Sequence, residues 1–335
     1  MKMKLFSVLL LAGMAATAGA QNLTGAGATF PNPIYSRWFS EYSASHPGVQ
    51  INYQSQGSGA GIRQVSQKIV DFGASDGPMT DQQLAESKIK LVHIPTVLGA
   101  VVPVYNIPGV NRDLNFSPDV IADIYLGHIT RWNDARIAKD NPGVSFPDHQ
   151  ILPVYRADGS GTTYIFTDFL SKISSDFQSK VGKSTSVRWP IGFGQKGNEG
   201  VAGMVRSTPF SMGYVELIYA ASNKMSYGNV KNSSGKFVKA STESVTAAAA
   251  AASKNMPADY RVSITNAAGP ASYPISSFTW LLIPVKSDDP RKGKVLNDFL
   301  HWMLDKGESE AAGMTYAPLP KPVADRVRQT INGIH

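Results

Sequence analysis

The chain has 335 residues, is 42% hydrophobic and contains no cysteine, which leaves room for two lobes with their own cores and excludes disulfides, cysteine-held zinc and a lipid-attachment cysteine. The net charge is +7, of which Lys2 and Lys4 supply two, leaving +5 for residues 21–335. That balance favours anionic partners. Its lysines and arginines are scattered, and the densest group, 286–294, is interrupted by Asp288 and Asp289, so no nucleic-acid surface is expected.

Residues 1–20 carry Lys2 and Lys4, an apolar run from Leu5 to Ala16, and Ala18-Gly19-Ala20 before Gln21. They read as a cleavable secretory signal, too short in its apolar part to anchor the chain, so the expected location is a periplasm. Next, Ala26-Gly27-Ala28 precedes Thr29-Phe30-Pro31 and the amphipathic run Ile34, Trp38, Phe39, Tyr42, which predicts a helix start with Thr29 able to cap it.

The alternating run Val49-Gln50-Ile51-Asn52-Tyr53 predicts a strand, Gln56-Gly57-Ser58-Gly59-Ala60-Gly61 a turn, and Ile62, Val65, Ile69 a helix. Asp76 follows Phe72-Gly73-Ala74-Ser75, the end of a further strand. Residues 94–104 and 276–284 are apolar and β-rich. The stretches 141–149 and 232–235 read as surface loops, and 247–252 as helix-favouring alanine.

The strand-like Ile151-Leu152-Pro153-Val154-Tyr155 leads into Arg156-Ala157-Asp158-Gly159-Ser160-Gly161-Thr162 and then the helical run 164–170. A glycine turn that opens a helix offers N–H groups without intrahelical acceptors at the positive end of the dipole. Ser160 and Thr162 add hydroxyls, and Arg156 adds a planar fork, so the segment contains the parts of an oxyanion socket as well as of an ordinary cap. Two such starts suggest two lobes facing each other. Strands alternating with helices predict an α/β architecture with mixed sheets.

The segments Leu23-Thr-Gly-Ala-Gly-Ala-Thr-Phe-Pro31, Tyr53-Gln-Ser-Gln-Gly-Ser58, Asp71-Phe-Gly-Ala-Ser-Asp76 and Arg156-Ala-Asp-Gly-Ser-Gly-Thr162 resemble the periplasmic phosphate-binding proteins of phosphate-specific ABC transporters. Asn106-Ile-Pro-Gly109, Asp123-Ile-Tyr-Leu-Gly127, Trp189-Pro-Ile-Gly192 and Gly213-Tyr-Val-Glu216 continue the match in order. The resemblance implies a two-lobed clamshell with a hinge, with 21–103 and 275–335 as lobe I and 104–274 as lobe II. It implies a receptor that binds inorganic phosphate between its lobes and delivers it to a membrane permease with a cytoplasmic ATPase, acting as a monomer without cofactor or metal.

Carried over residue by residue, the resemblance gives Thr29 as hydroxyl donor, Phe30 as N–H donor, and Ser58 as both. Arg156 donates from two nitrogens, and Ser160, Gly161 and Thr162 donate through N–H groups and hydroxyls. Asp76 is the acceptor for a ligand proton, which HPO4 2− or H2PO4 − carries and fully ionised sulfate lacks. Asp158 either orients the Arg156 guanidinium or caps the helix and faces water.

Enzyme signals are weaker. The spacing Gly192-Phe-Gly194-Gln-Lys-Gly197 matches a dinucleotide fingerprint, but it follows Trp189-Pro190-Ile191 instead of a clear strand. Ser160 lacks the glycine two positions earlier that a nucleophile elbow needs, and the six histidines show no metal spacing. A phosphatase-like hydrolase and a surface scavenging or adhesion role are the alternative readings, and no enzyme is expected.

Overall fold

The computed structural model describes residues 21–110, 112–253 and 256–335; the expected signal, 1–20, lies outside the described residues. Among the described residues twelve strands run in chain order as β1 (Gln21–Gly27), β2 (Val49–Ser55), β3 (Phe72–Ser75), β4 (Leu91–Tyr105), β5 (Asn115–Phe116) and β6 (Leu152–Arg156). They continue as β7 (Phe193–Gln195), β8 (Ser211–Glu216), β9 (Ser226–Tyr227), β10 (Asn229–Lys231), β11 (Phe237–Val238) and β12 (Ser276–Pro284). Eight of these form a path β2-β1-β3-β12-β4-β8-β6-β7, with β9 added on β4, while β11-β10-β5 make a small separate sheet.

The long strand β4 is shared between the two halves of this path. Its residues up to Ala100 pair antiparallel with β12, and Val101 to Tyr105 pair antiparallel with β8. It carries Leu91, Ile94, Val97, Leu98, Val101, Val102 and Val104 in the interior, and a strand covered on both faces needs such a near-continuous apolar run. β1 pairs in parallel with both β2 and β3, and β6 pairs in parallel with β7 and β8. The sheet is therefore mixed, as the alternating pattern predicted.

Aromatic side chains fill the space on both sides. Phe39 on helix Asn32–Ser45 packs against Tyr35, Tyr53, Phe72 and Phe299, with ring centroids 5.2 to 5.8 Å apart. In the other half Phe166 stacks on Tyr214 at 4.2 Å, with Tyr125 edge-on to both. Such pairs add specific geometry to large apolar burial. The carboxyl ends of β1, β2, β3, β6 and β7 all feed helix starts, which is where open α/β sheets place ligands.

The connection after helix Thr242–Ser253 departs from a simple two-part division. Within it, Trp280 Nε1 donates to the Tyr260 carbonyl, Arg261 donates to the Met79 carbonyl, and Arg326 donates to the carbonyls of Met256 and Pro257. A few residues later, Ser263 and Thr265 hydroxyls donate to Asp168 on helix Gly161–Ile173. This strap touches both halves.

Candidate anion-binding site

Gly57 has φ +93°, a backbone state that suits glycine, and it turns the chain from β2 into helix Ser58–Ser66. Ser58 thus opens the helix, and its Oγ accepts from the Asp76 N–H at 3.1 Å and lies 3.4 Å from Asp76 Oδ2. Asp76 follows β3 directly, as expected, and is 1% exposed. Its Oδ1 accepts from Thr279 Oγ1 at 2.8 Å.

On the facing side Ser160 is the N-cap of helix Gly161–Ile173, its Oγ accepting from the Thr163 N–H at 3.0 Å. Its own N–H donates to the Thr185 carbonyl at 2.7 Å. The expectation that Ser160 offers an N–H to a ligand is therefore corrected: its backbone donor is spent on the 185 loop, which leaves its hydroxyl hydrogen. Gly161 and Thr162, at the first two helical positions, keep N–H groups that no intrahelical carbonyl can reach.

Arg156 ends β6 with its guanidinium inside, and Asp158 receives both Nε, at 2.7 Å, and Nη2. Asp158 Oδ1 also accepts from the Gly197 N–H at 3.1 Å. Burial pushes the Asp158 carboxyl up, but Arg156 and the Gly197 N–H outweigh it and hold the group below the ordinary range. Of the two readings of Asp158, the structure has the one that orients Arg156; the cap is Ser160. Arg156 Nη1 remains on the site side, 3.4 Å from Thr162 Oγ1.

Thr29 sits between β1 and helix Asn32–Ser45, 3% exposed. The N-cap of that helix is Pro31 without a side-chain bond, so the expected capping by Thr29 does not occur. Its hydroxyl meets Asn198 instead, which donates from Nδ2 at 2.7 Å and from its N–H at 3.3 Å. The Tyr219 hydroxyl donates to the Thr29 carbonyl and the Tyr316 hydroxyl to the Phe30 carbonyl, both at 2.6 Å. These bonds hold the Thr29-Phe30 peptide.

The two glycine turns are in backbone contact. The Gly59 N–H donates to the Gly159 carbonyl at 2.9 Å. A methyl placed on Gly161 would lie 2.4 Å from Ser58 Oγ and 2.5 Å from Asp76 Oδ2. Ser58, Asp76 and Gly161 thus meet where the two turns touch, Arg156 and Asp158 lie beside Thr162, and Asn198 ties Thr29 to Thr162.

Three participants were missed in the sequence: Asn198, Thr279 and Tyr219. A signal for Asn198 existed, because Gly197 is the third glycine of the 192–197 spacing. In the structure Gly192 precedes β7, Gly194 lies within it, and Gly197 opens helix Gly197–Ser207 with φ +73°. The spacing thus builds a wall of this site.

Burial is the dominant effect on Asp76 and raises its carboxyl from the ordinary 3.8 to about 7, with Thr279, Arg156 and Ser58 pulling the other way. The arrangement is one buried acceptor amid hydroxyl, N–H and guanidinium donors. Such a set recognises an oxyanion that itself carries a proton.

The family described as the PBP superfamily domain matches residues 12–306. The chain is 42% identical over 328 residues to the phosphate-binding protein PstS of Pasteurella multocida, covering 98% of this chain and 94% of the relative. It is also 42% identical to the PstS of Haemophilus influenzae, over 98% of this chain and 97% of that one. Among solved structures, the high-affinity periplasmic phosphate-binding protein PfluDING, bound with phosphate, shares the fold with a TM-score of 0.74 at 20% identity, covering 92% of this chain and 93% of the other. The fold is the two-lobed α/β clamshell, and the chain belongs to the PBP superfamily and, within it, to the PstS phosphate-binding proteins.

Proposed function

We propose that this chain is the receptor of an ABC-type phosphate importer and binds inorganic phosphate at the meeting point of its two glycine turns. It is a binding protein of transport and not an enzyme, as its PstS relatives are. The observation that carries the ligand assignment is Asp76, a buried carboxylate facing Ser58 and Gly161 among donors. A carboxylate repels an anion with only lone pairs to present. It welcomes one that donates a proton, and phosphate does so near neutral pH.

In this reading Thr29, Phe30, Ser58 and Asp76 grip the ion from one lobe, while Arg156, Ser160, Gly161 and Thr162 grip it from the other. Lobe I is 21–103 with 275–335 and lobe II is 104–274, supported by the shared strand β4 and by β12 returning beside it, with the 256–261 strap reaching back onto lobe I. The signal at 1–20 would deliver the chain to the periplasm, where it serves as a monomer for a permease driven by a cytoplasmic ATPase. No described helix is long and apolar enough to cross a membrane.

Titration calorimetry of the purified chain at about pH 8, where Asp76 is ionised, stripped of anions and then given phosphate and, separately, sulfate, tests this. Phosphate should bind with one-to-one stoichiometry and raise the melting temperature, since a ligand of the native state stabilises it by mass action. Sulfate at equal concentration should do neither. Heats and melting shifts that are the same for both anions would overturn the assignment.

A further inference from the structure

Asn198 is wholly buried, yet no part of the binding scheme above uses it. Its amide orientation is fixed from behind. The Glu216 N–H, which can only donate, points at Oδ1 from 2.9 Å, so the oxygen faces Glu216 and the NH2 faces the site. That NH2 donates to Thr29 Oγ1 at 2.7 Å and to Thr162 Oγ1 at 3.1 Å, joining one residue from each side of the cleft.

A threonine hydroxyl has two lone pairs and one hydrogen. Thr29 Oγ1 receives the Asn198 NH2 and the Asn198 N–H, and Thr162 Oγ1 receives the Asn198 NH2 and Arg156 Nη1. With two donors each, both oxygens have spent their accepting capacity. Their hydrogens must point elsewhere.

Resting on the phosphate reading, we propose that Asn198 is a positioning residue that sets the hydrogen-bond polarity of the site: by donating to Thr29 and Thr162 together, it turns both hydroxyl hydrogens onto the bound anion. Without that amide either hydroxyl can rotate its hydrogen inward and present lone pairs to phosphate. The anion then loses two donors although no ligating residue has changed.

The test is calorimetry with inorganic phosphate on the parent, Asn198→Ala, Asn198→Asp, Thr29→Val/Thr162→Val and the triple variant Thr29→Val/Thr162→Val/Asn198→Ala, with ligand-free melting temperatures alongside. Asn198→Ala should weaken phosphate by about tenfold to a hundredfold, the loss expected of two misdirected hydrogen bonds. Asn198→Asp keeps the volume and the acceptor for the Glu216 N–H but accepts both hydroxyl hydrogens itself, so it should bind more weakly still. It also serves where the alanine variant fails to fold.

In the Thr29→Val/Thr162→Val background, where no hydroxyl is left to orient, removing Asn198 should cost less than about threefold further. Phe30, Ser58, Gly161 and Arg156 still donate there, and phosphorus NMR follows binding too weak for calorimetry. A purely structural Asn198 would cost as much in that background as in the parent, and that result overturns the proposal. So does unchanged phosphate affinity in both Asn198 variants. A parent that binds no phosphate would overturn the receptor reading itself, and the parent arm tells the two failures apart.

Discussion

Thr279 Oγ1 donates to Asp76 Oδ1 at 2.8 Å, so one oxygen of the buried carboxylate is satisfied by strand β12 and the other, Oδ2, is turned toward Ser58 Oγ and the start of helix Gly161–Ile173. Strand β12 delivers Thr279 and strand β3 delivers Asp76, paired antiparallel in one sheet. The acceptor is thereby held rigid. An acceptor that cannot swing away is what rejects an anion without a proton.

Asp76→Asn keeps the shape and replaces an obligate acceptor by an amide that also donates. Phosphate binding should weaken, while sulfate binding should strengthen, so that their affinity ratio falls by about tenfold or more, the cost of a buried polar mismatch removed. Calorimetric titration of the variant with both anions reads this ratio. An unchanged ratio would place the discrimination elsewhere in the socket.

The same carboxylate makes the ligand-free protein sensitive to pH. Burial raises Asp76 to about 7 from an ordinary 3.8, so between these values the native state holds a proton that the unfolded chain has released. Its contribution to stability is fully present below 3.8, falls by at most about 1.4 kcal/mol per pH unit across the window, and is gone above about 7. Melting of ligand-free parent and Asp76→Asn at about pH 4 and about pH 8 isolates it. The parent should lose stability relative to the variant on going to the higher pH. Below about 7 the protonated Asp76 can also donate, so sulfate rejection should relax in acid. A parent-minus-variant difference that is flat with pH would contradict the assignment.

Much of this site was legible because its parts are local. Gly57-Ser58 and Gly159-Ser160-Gly161 sit where a strand pattern gives way to a helix pattern, and a glycine there has few purposes beyond a turn or a close approach. Asp76 was readable from its place at the end of Phe72-Gly73-Ala74-Ser75. Thr279 carries no such marker, and Asn198 has only the neighbouring Gly197 of the 192–197 spacing. Asn198 follows Lys196-Gly197 in a polar run, and only the approach of Thr29 and Thr162, from far along the chain, gives its amide a purpose. The spent N–H of Ser160 was hidden for the same reason, since the Thr185 carbonyl reaches it through tertiary packing. The strap at 256–261 was equally invisible, as nothing local in Met256-Pro257 points to Arg326.

Gly161→Ala separates the closed site from the folded lobes. Alanine suits the first turn of a helix, but its methyl would meet Ser58 Oγ and Asp76 Oδ2 at 2.4 and 2.5 Å, atoms contributed by the start of helix Ser58–Ser66 and the end of β3. Relieving such overlaps costs about 1 to 3 kcal/mol. Phosphate affinity should therefore drop by about tenfold or more, while the ligand-free melting temperature stays within about 2 °C of the parent. A ligand-free protein destabilised as much as binding is weakened would mean that the contact also holds the protein together without phosphate.

Closure itself should depend on Arg156. Neither turn alone supplies enough donors to replace the hydration shell of phosphate, so the ion should draw the two turns together, and the bond from the Gly59 N–H to the Gly159 carbonyl should form with it. Arg156→Ala removes a charged donor and also leaves Asp158 without its guanidinium, keeping only the Gly197 N–H. Binding should weaken by about 1.5 to 3 kcal/mol or more, the range for a charge-assisted bond in a desolvated site. Small-angle scattering should show the parent contracting on saturation with phosphate, and Arg156→Ala needing correspondingly more phosphate to reach the same radius of gyration. Hydrogen exchange at both glycine turns should slow in step with that contraction. A radius and an exchange pattern indifferent to saturating phosphate in the parent would rule out a site shared across the cleft.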